Sequence, residues 1–135
     1  MRVTFGALEQ VSGLTPVLGD PRVTRCAHHL VRLWYDPEAF GGRSRAEFVR
    51  AMAAEGVPVR EGYPEPLSRQ PVILGRSAYI RERLGLAQVP PDSCPVCEGV
   101  CSRGLWLAQS MLLGDHRDMD DIVTASARIQ RAWAG

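Results

Sequence analysis

The sequence predicts a small α/β (α+β) domain in which one sheet is covered by helices on one face. Its 135 residues fit a single domain, because domains usually hold about 100–200 residues. Hydrophobic residues make up 45% and charged residues 23% of the chain, which is typical of a globular protein. Helix-like and strand-like segments are interspersed along the chain, and a small sheet with helices on one face is the simplest architecture that buries them.

The first third of the chain is predicted to hold a short helix, a loop and a strand. Residues 2–11 have a weak helical pattern that Gly13 ends, and the following residues carry the prolines and glycines of a loop. The apolar run CAHHLVRLWY at residues 26–35 predicts a central strand. We therefore expect an N-terminal helix and linker over residues 1–24 and the main domain over residues 25–135.

The middle of the chain contains the clearest helix, over residues 44–55. Ser44 and Glu47 form a capping box, and an apolar face follows them. Residues 57–59 predict a short strand, whose central proline suggests a sheet edge. The segment GYPEPLSRQPVILG at residues 62–75 contains three prolines and predicts an irregular loop, long enough to be functional.

The last part of the chain is predicted to hold three helices and one strand. They are a marginal helix at residues 76–84, a helix from Pro95 to Gly104, an apolar strand at residues 105–108 and a helix at residues 118–133. Three aspartates begin the last helix, and acids at that position usually stabilise the helix end rather than bind a cation.

The amino-acid composition excludes several catalytic mechanisms for this chain alone. All 16 basic residues are Arg, and the sequence contains neither Lys nor Asn. Without Lys the chain alone cannot form a Schiff base with pyridoxal phosphate, supply a P-loop lysine or use a lysine base. Without Asn it has no N-glycosylation site and no Cys-His-Asn triad. No serine lies in a nucleophile-elbow pattern.

Charge and hydropathy bear on partners and location. A formal charge of +1 leaves no basic excess for nucleic acid or for an anionic membrane. No apolar run approaches the ~18 residues of a membrane span, and no basic and apolar leader opens the sequence. We therefore expect a cytoplasmic protein, with neither nucleic acid nor membrane as its partner and with reduced cysteines.

Three of the four cysteines lie close together, in the pattern Cys94-x-x-Cys97-x-x-x-Cys101. Thiolates are preferred ligands of zinc and iron–sulfur clusters, but this spacing fits neither the paired C-x-x-C modules nor the common cluster runs. The three positions share one face of a helix, and cysteine is among the most buried residue types. We therefore expect these side chains in the core, with a metal site as the alternative.

The other candidate residues are three histidines and one tyrosine. His28 and His29 point to opposite faces of the predicted strand, so one of them faces the core or a cleft. A buried, neutral histidine bonded to the backbone is the ordinary alternative. His116 lies in a polar turn and is expected to be solvated. Tyr63 lies in the proline-stiffened loop, which suits either contact with a ligand or anchoring of the loop to the core.

As an ordered set, the segments from His29 to Gln130 resemble the C-terminal small domain of the DegT-type sugar aminotransferases, pyridoxal-phosphate enzymes with the aspartate-aminotransferase-like fold. The matching segments are HLVRLWYD at 29–36, SRAEFVRAMAAEGVPV at 44–59, GYPEPLSRQP at 62–71, CPVCE at 94–98, LWLAQSMLLGD at 105–115 and DMDDIVTASARIQ at 118–130. The resemblance implies a mostly antiparallel sheet with helices on one face, like the C-terminal domain of fold-type I aminotransferases. It also makes residues 1–24 the remnant of an interdomain connection.

The resemblance also implies where a substrate would bind. In many family members the loop reads His-Tyr-Pro-x-Pro-Leu-His and lines the sugar site; here Gly62 and Ser68 replace the two histidines. The implied substrate-binding residue is Tyr63, with Ser68 at a site position and His29 as a further candidate. The family's large N-terminal domain supplies the Schiff-base lysine and most cofactor contacts. We therefore assign no catalytic, cofactor-binding or metal residue to this chain.

Three functional hypotheses follow. In the first, the chain is the C-terminal domain of a sugar or cyclitol aminotransferase, inert alone, whose partner is the N-terminal large domain. The full enzyme would use pyridoxal phosphate to move an amino group from Glu or Gln to a keto sugar or keto cyclitol. In the second, the chain is a stand-alone binding or regulatory module, which pairs with a separately encoded half or a full-length aminotransferase subunit, or forms a homo-oligomer. The third and least favoured is a metal-binding module built on Cys94, Cys97, Cys101 and either Cys26 or His29.

Overall fold

The computed structural model describes residues 7–17, 19–20, 22–24, 29–91 and 93–135. The chain divides into two compact units. The first comprises Met1–Gly62 with Arg103–Gly135, and the second comprises Tyr63–Ser102. The predicted boundary between residues 24 and 25 adjoins a segment outside the described residues and stays a prediction. Among the described residues, no helix is both long and apolar enough to cross a membrane.

A four-stranded antiparallel sheet forms the base of the first unit. Its strands are β1 (Leu14–Pro16), β2 (Leu30–Tyr35), β3 (Arg60–Glu61) and β4 (Gly104–Ala108), in the order β1-β2-β4-β3. Val31 lies opposite Leu107 and Leu33 opposite Leu105, and all four side chains are buried. Because side chains alternate across a strand, this register places an apolar layer on one face of the sheet.

Two helices of the first unit contribute to the same core. Helix α1 (Arg45–Ala54) contributes Phe48 and Met52, and helix α4 (His116–Ala134) contributes residues such as Ile122 and Ile129. The predicted capping box of α1 is confirmed, because the Ser44 hydroxyl accepts from Glu47 N and the Glu47 carboxylate accepts from Ser44 N. The predicted fold class, a small antiparallel sheet covered by helices, is confirmed.

An aromatic cluster closes the core beside β2. The ring centroid of Phe40 lies 4.9 Å from that of Tyr35 and 5.0 Å from that of Phe48. Such tilted and edge-on pairs add to the free energy gained by burial. The Tyr35 hydroxyl donates to the Arg43 carbonyl oxygen over 2.8 Å. Burial, together with the charges of Glu47 and Asp36, raises the pKa of Tyr35 to about 12.

The second unit consists of a loop and two helices. Helix α2 spans Pro71–Arg83, and helix α3 spans Pro95–Arg103, whose last residue already belongs to the first unit. Of the described residues between 63 and 102, only Pro66 is buried. The expectation that the three clustered cysteines lie in the core is therefore wrong: Cys97 is exposed, and Cys94 and Cys101 are half-buried. The helical spacing is right, but α3 has no buried residue to form a core with.

Three predicted elements that contain or adjoin a proline differ from the structure. The strand expected at residues 57–59 is wrong: Val57 and Val59 are buried, but Val59 N bonds the Val57 carbonyl, and pairing with β4 begins at Arg60. The loop expected through residue 75 ends earlier, since Pro71 occupies the first turn of α2. In the predicted N-terminal loop lies β1, an edge strand that tolerates its proline.

The helix expected at residues 2–11 lies partly outside the described residues, and residues 9–11 are not helical. The remaining predictions agree with the structure to within two residues where it describes them. The strand over residues 26–35 is confirmed for Leu30–Tyr35, while residues 26–28 lie outside the described part. Helix α4 begins two residues earlier than expected, because Asp115 is its N-cap and forms a capping box with Asp118. His116 is exposed at the start of this helix, as expected of a solvated side chain.

Candidate functional site

The candidate site begins where β3 ends and the proline-rich loop leaves the sheet. The backbone N–H of Gly62 donates to the carbonyl oxygen of Gly104 over 3.0 Å, which extends the pairing of β3 with β4 by one bond. A Cβ atom at position 62 would lie 3.3 Å from the same oxygen and 3.5 Å from the Trp106 Nε1 atom. Gly62 therefore allows a close approach of the loop base to β4 that a larger residue would disturb.

Arg45 fixes this loop base from the side of α1. Its Nη1 atom donates to the Gly104 carbonyl oxygen over 2.9 Å, and its Nη2 atom lies 3.0 Å from Glu61 Oε2. The Arg45 side chain is only 13% exposed, so both contacts are partly shielded from water. One guanidinium thus joins the start of α1 to the ends of two strands, immediately before Tyr63.

Tyr63 is exposed in this loop, and Ser68 lies in a short helical turn of it. Tyr63 is 70% exposed. Pro66 is buried, and a short 3-10 helix, Leu67–Arg69, follows it and carries the half-buried Ser68. Arg69 N donates to the Pro66 carbonyl over 3.0 Å, which closes this turn. An exposed phenol on a fixed backbone suits contact with a polar ligand, because binding then costs little conformational entropy.

An ion pair joins the loop to helix α3 within the second unit. Arg69 Nη2 lies 2.7 Å from Glu98 Oε1. Both side chains are partly exposed, so this pair contributes little to stability, but it orients the last turn of the loop.

His29, the third predicted site residue, belongs to the other unit. It lies just before β2, and its side chain is exposed. Its carbonyl oxygen accepts a hydrogen bond from Gln109 N over 3.3 Å. The structure thus places Tyr63 and Ser68 in one loop and His29 in a different unit; His28 lies outside the described residues. The three binding roles stay predictions.

Sequence reasoning did not identify Arg45 as part of this region. Its neighbours Ser44 and Glu47 carry the signature of a helix cap, and an arginine at the first helical position is expected to face solvent. Its contacts with Glu61 and Gly104 are 16 and 59 residues away along the chain. No local pattern carries that information, because the contact exists only once β3 pairs with β4.

The described residues contain no group of three or more His, Cys, Asp or Glu side chains arranged to hold a metal ion. Chemically, the loop offers a phenol and a hydroxyl, which recognise polar ligands through hydrogen bonds. It offers no amine nucleophile, because the sequence lacks lysine.

No protein-family model matches the chain, but several whole proteins are similar to it. The "Putative L-glutamine:3-amino-2,3-dideoxy-scyllo-inosose aminotransferase" of Streptomyces kanamyceticus is 31% identical over 137 residues, which cover 96% of this chain and 32% of that protein. The protein of the same name from Streptoalloteichus tenebrarius is 36% identical, over 92% of this chain and 32% of its own length. The chain therefore spans about a third of the length of these relatives.

Two solved structures share the fold. The crystal structure of 3-amino-5-hydroxybenzoic acid synthase matches 97% of this chain with a TM-score of 0.71 and 17% identity, over 32% of its own chain. A DegT DnrJ EryC1 StrS aminotransferase from Brucella abortus matches 99% of this chain with a TM-score of 0.62 and 22% identity, over 29% of its own chain. In both cases the match covers less than a third of the larger protein.

Proposed function

Since the chain is homologous to the C-terminal third of DegT-type aminotransferases, we propose that it acts as the C-terminal domain of a cyclitol aminotransferase and forms part of the substrate cleft. The observation that carries the proposal is the identity of 31% and 36% with two relatives over more than nine-tenths of this chain. Their names specify L-glutamine as amino donor and an aminoinosose as the cyclitol. We propose the same classes of donor and substrate for the complete enzyme.

Tyr63 is the proposed contact with the cyclitol. It keeps the tyrosine of the family's loop motif, it is exposed, and the bonds of Arg45 and Gly62 fix the backbone directly before it. Ser68 takes the place of a histidine in that motif and supplies a shorter hydroxyl. A phenol and a hydroxyl are suited to the hydroxyl groups of a cyclitol, since each can both donate and accept.

The residues present do not fit pyridoxal phosphate, the cofactor of this family, on their own. Covalent attachment of that cofactor needs a lysine amine, and all 16 basic residues of this chain are arginines. The proposed enzyme therefore takes its lysine from a polypeptide outside the 135 residues, which is the region that corresponds to the N-terminal two-thirds of the relatives.

The exposed apolar surface of the second unit supports a partner of this kind. Helix α2 contains no buried residue, although Val72, Ile73, Tyr79 and Ile80 are among its side chains. A groove of about 430 Å³ lies along this helix, between Ile73, Ile80 and Leu86. Contiguous apolar surface of this kind usually marks an interaction site. We propose that the N-terminal portion of the enzyme covers it.

A chimera tests the proposal. The N-terminal two-thirds of the Streptomyces kanamyceticus relative would be fused to this chain, and transfer of the amino group from L-glutamine to a keto cyclitol would be measured. We expect activity from the chimera, and none from the N-terminal portion alone or from this chain alone. Transamination by this chain alone, or a folded chimera that is inactive, would contradict the proposal.

A matched pair of substitutions tests the proposed interface in the same chimera. Ile80→Glu places a charge in the apolar groove and should lower both activity and thermal stability. Glu82→Arg changes an exposed charge on the opposite face of the same helix, nine residues from Ile73, and should leave both nearly unchanged. Equal effects of the two substitutions would show that the groove is not covered.

The same apolar surface favours a second candidate function, a subunit that binds a full-length aminotransferase without completing it. Mixing this chain with the intact relative and measuring the mass of the complex by light scattering separates the two. A stable complex with the full-length protein favours the separate subunit. Association with the N-terminal portion but not with the intact protein favours the domain.

A further inference from the structure

A pair of thiols lies at the start of helix α3, and the aminotransferase proposal does not use them. Cys94 directly precedes the helix, and its carbonyl oxygen accepts a hydrogen bond from Glu98 N over 2.9 Å, which makes Cys94 the N-cap. Cys97 lies in the first turn and is exposed, whereas Cys94 is half-buried. We propose that Cys94 and Cys97 form a redox-active dithiol, which a small disulfide oxidises to a reversible intramolecular disulfide.

The spacing of the two cysteines permits this bond. Side chains three apart on a helix have Cβ atoms about 5–6 Å apart. A disulfide needs about 3.5–4.5 Å, so a small approach is required. Cys94 precedes the helix as its cap, so the approach strains only the first turn and leaves the hydrogen bonds of later turns in place.

Cys101 is a poorer partner for Cys97. Both residues lie within α3, four positions apart, where the helix fixes both backbones. Closing the distance between their Cβ atoms would distort the helix, and a distorted disulfide is more easily reduced. The three clustered thiols therefore divide into one pair that can close and a third that serves as an internal comparison.

Exposure sets the order of the two exchange steps. The exposed Cys97 thiolate attacks one sulfur of the small disulfide R–S–S–R, which forms Cys97–S–S–R and releases one R–S⁻. The Cys94 thiolate then attacks Cys97 Sγ, which forms the intramolecular bond and releases the second R–S⁻. Two protein thiols are oxidised, one small disulfide is reduced to two thiols, and the two thiol protons go to the released thiolates. An exposed disulfide is of the labile kind that excess thiol reduces again.

Mass spectrometry of the folded chain tests the dithiol directly. The reduced chain would be incubated with glutathione disulfide, quenched with an alkylating reagent and digested after arginine. The peptide over residues 84–103 contains all three clustered cysteines, whereas Cys26 falls in another peptide. We expect this peptide to lose two hydrogen atoms, to carry one alkyl group instead of three, and to recover all three after incubation with excess thiol.

Single substitutions identify the pair. Cys101→Ser should close at a rate within about twofold of the unsubstituted chain, whereas Cys94→Ser should close at least about tenfold more slowly and accumulate the mixed disulfide. Cys97→Ser should form no disulfide within the peptide. The proposal is overturned if Cys94→Ser closes as fast as Cys101→Ser, if the bond joins Cys26 to the cluster, or if the urea-unfolded chain closes as fast as the folded one. None of these readouts depends on aminotransferase activity.

Discussion

Arg45, the first residue of α1, donates to the carbonyl oxygen of Gly104, the first residue of β4, over 2.9 Å. The same oxygen accepts from the backbone N–H of Gly62, so a single carbonyl receives both the loop base and a side chain from α1. Glu61 completes the arrangement as the carboxylate partner of Arg45. The position at which the chain leaves the sheet toward Tyr63 is thus set by one partly shielded guanidinium.

Replacing Arg45 with Met should lower the free energy of unfolding by about 1–3 kcal/mol, because hydrogen bonds to a charged group are lost from a partly buried position. Urea unfolding followed by circular dichroism measures this loss. Arg50→Met is the matched control, since Arg50 is an exposed arginine of the same helix and its loss should cost less than about 0.5 kcal/mol. Equal losses in the two variants would mean that Arg45 contributes no more than an ordinary surface arginine.

Gly41 and Gly42 form a second matched pair. Both have positive φ, +63° and +74°, which an L side chain adopts only with strain. A Cβ atom at Gly41 would also overlap the carbonyl oxygen of Trp133, near the end of α4, whereas a Cβ at Gly42 would meet nothing within 4 Å. Gly41 is therefore required both for the turn and for the close approach of the Trp133 carbonyl oxygen.

Gly42→Ala should cost about 1–2 kcal/mol of unfolding free energy, from the backbone conformation alone. Gly41→Ala should cost at least about 1 kcal/mol more, because the end of α4 must move away from the added methyl group. Thermal unfolding of the two variants gives the comparison. A similar loss in both would indicate that the last turn of α4 shifts without a measurable cost.

The elements predicted correctly are those whose signals are local. The capping box of Ser44 and Glu47 lies within four residues, and the apolar run that predicts β2 is visible in its own six residues. These signals are enough to place the sheet and its two covering helices. The resemblance to the aminotransferase domain then adds the antiparallel pairing, which no single segment encodes.

The elements predicted wrongly depend on what lies opposite them. Val57 and Val59 are as apolar as a strand, but the residues that pair with β4 are Arg60 and Glu61. Cys94 and Cys97 have the spacing of a helix face, yet α3 lies in a unit in which Pro66 is the only buried residue among those described. Sequence patterns report that a face is apolar or sulfur-rich; they do not report whether anything covers it.

Acid should weaken the start of α1. The backbone N–H of Ser44, then its hydroxyl and then Arg43, stabilise the Glu47 carboxylate and lower its pKa from an ordinary value of 4.5 to about 2. The unfolded chain therefore takes up this proton before the folded chain does. The stability contributed by Glu47 is present above about pH 4.5 and is lost as the pH falls toward 2.

Unfolding free energies measured between pH 7 and pH 3 test this dependence. The unsubstituted chain should lose stability over that range more steeply than Glu47→Gln, which cannot titrate there. Ser44→Ala should lie between them, because it removes the hydroxyl bond but keeps the backbone bond, and it should cost about 1 kcal/mol at neutral pH. Parallel pH profiles for all three proteins would show that Glu47 has an ordinary pKa.

Tyr63 should affect substrate binding in the chimeric enzyme. If its hydroxyl bonds the cyclitol, Tyr63→Phe removes one hydrogen bond worth about 0.5–1.5 kcal/mol and should raise KM for the cyclitol about 2–10-fold. The KM for L-glutamine should change less if Tyr63 contacts the cyclitol alone. Tyr79→Phe is the control, because Tyr79 lies on α2 rather than in the loop and the substitution removes only its hydroxyl, keeping the ring in the proposed interface. Unchanged KM in Tyr63→Phe, or an equal change in Tyr79→Phe, would remove Tyr63 from the proposed cleft while leaving the family assignment intact.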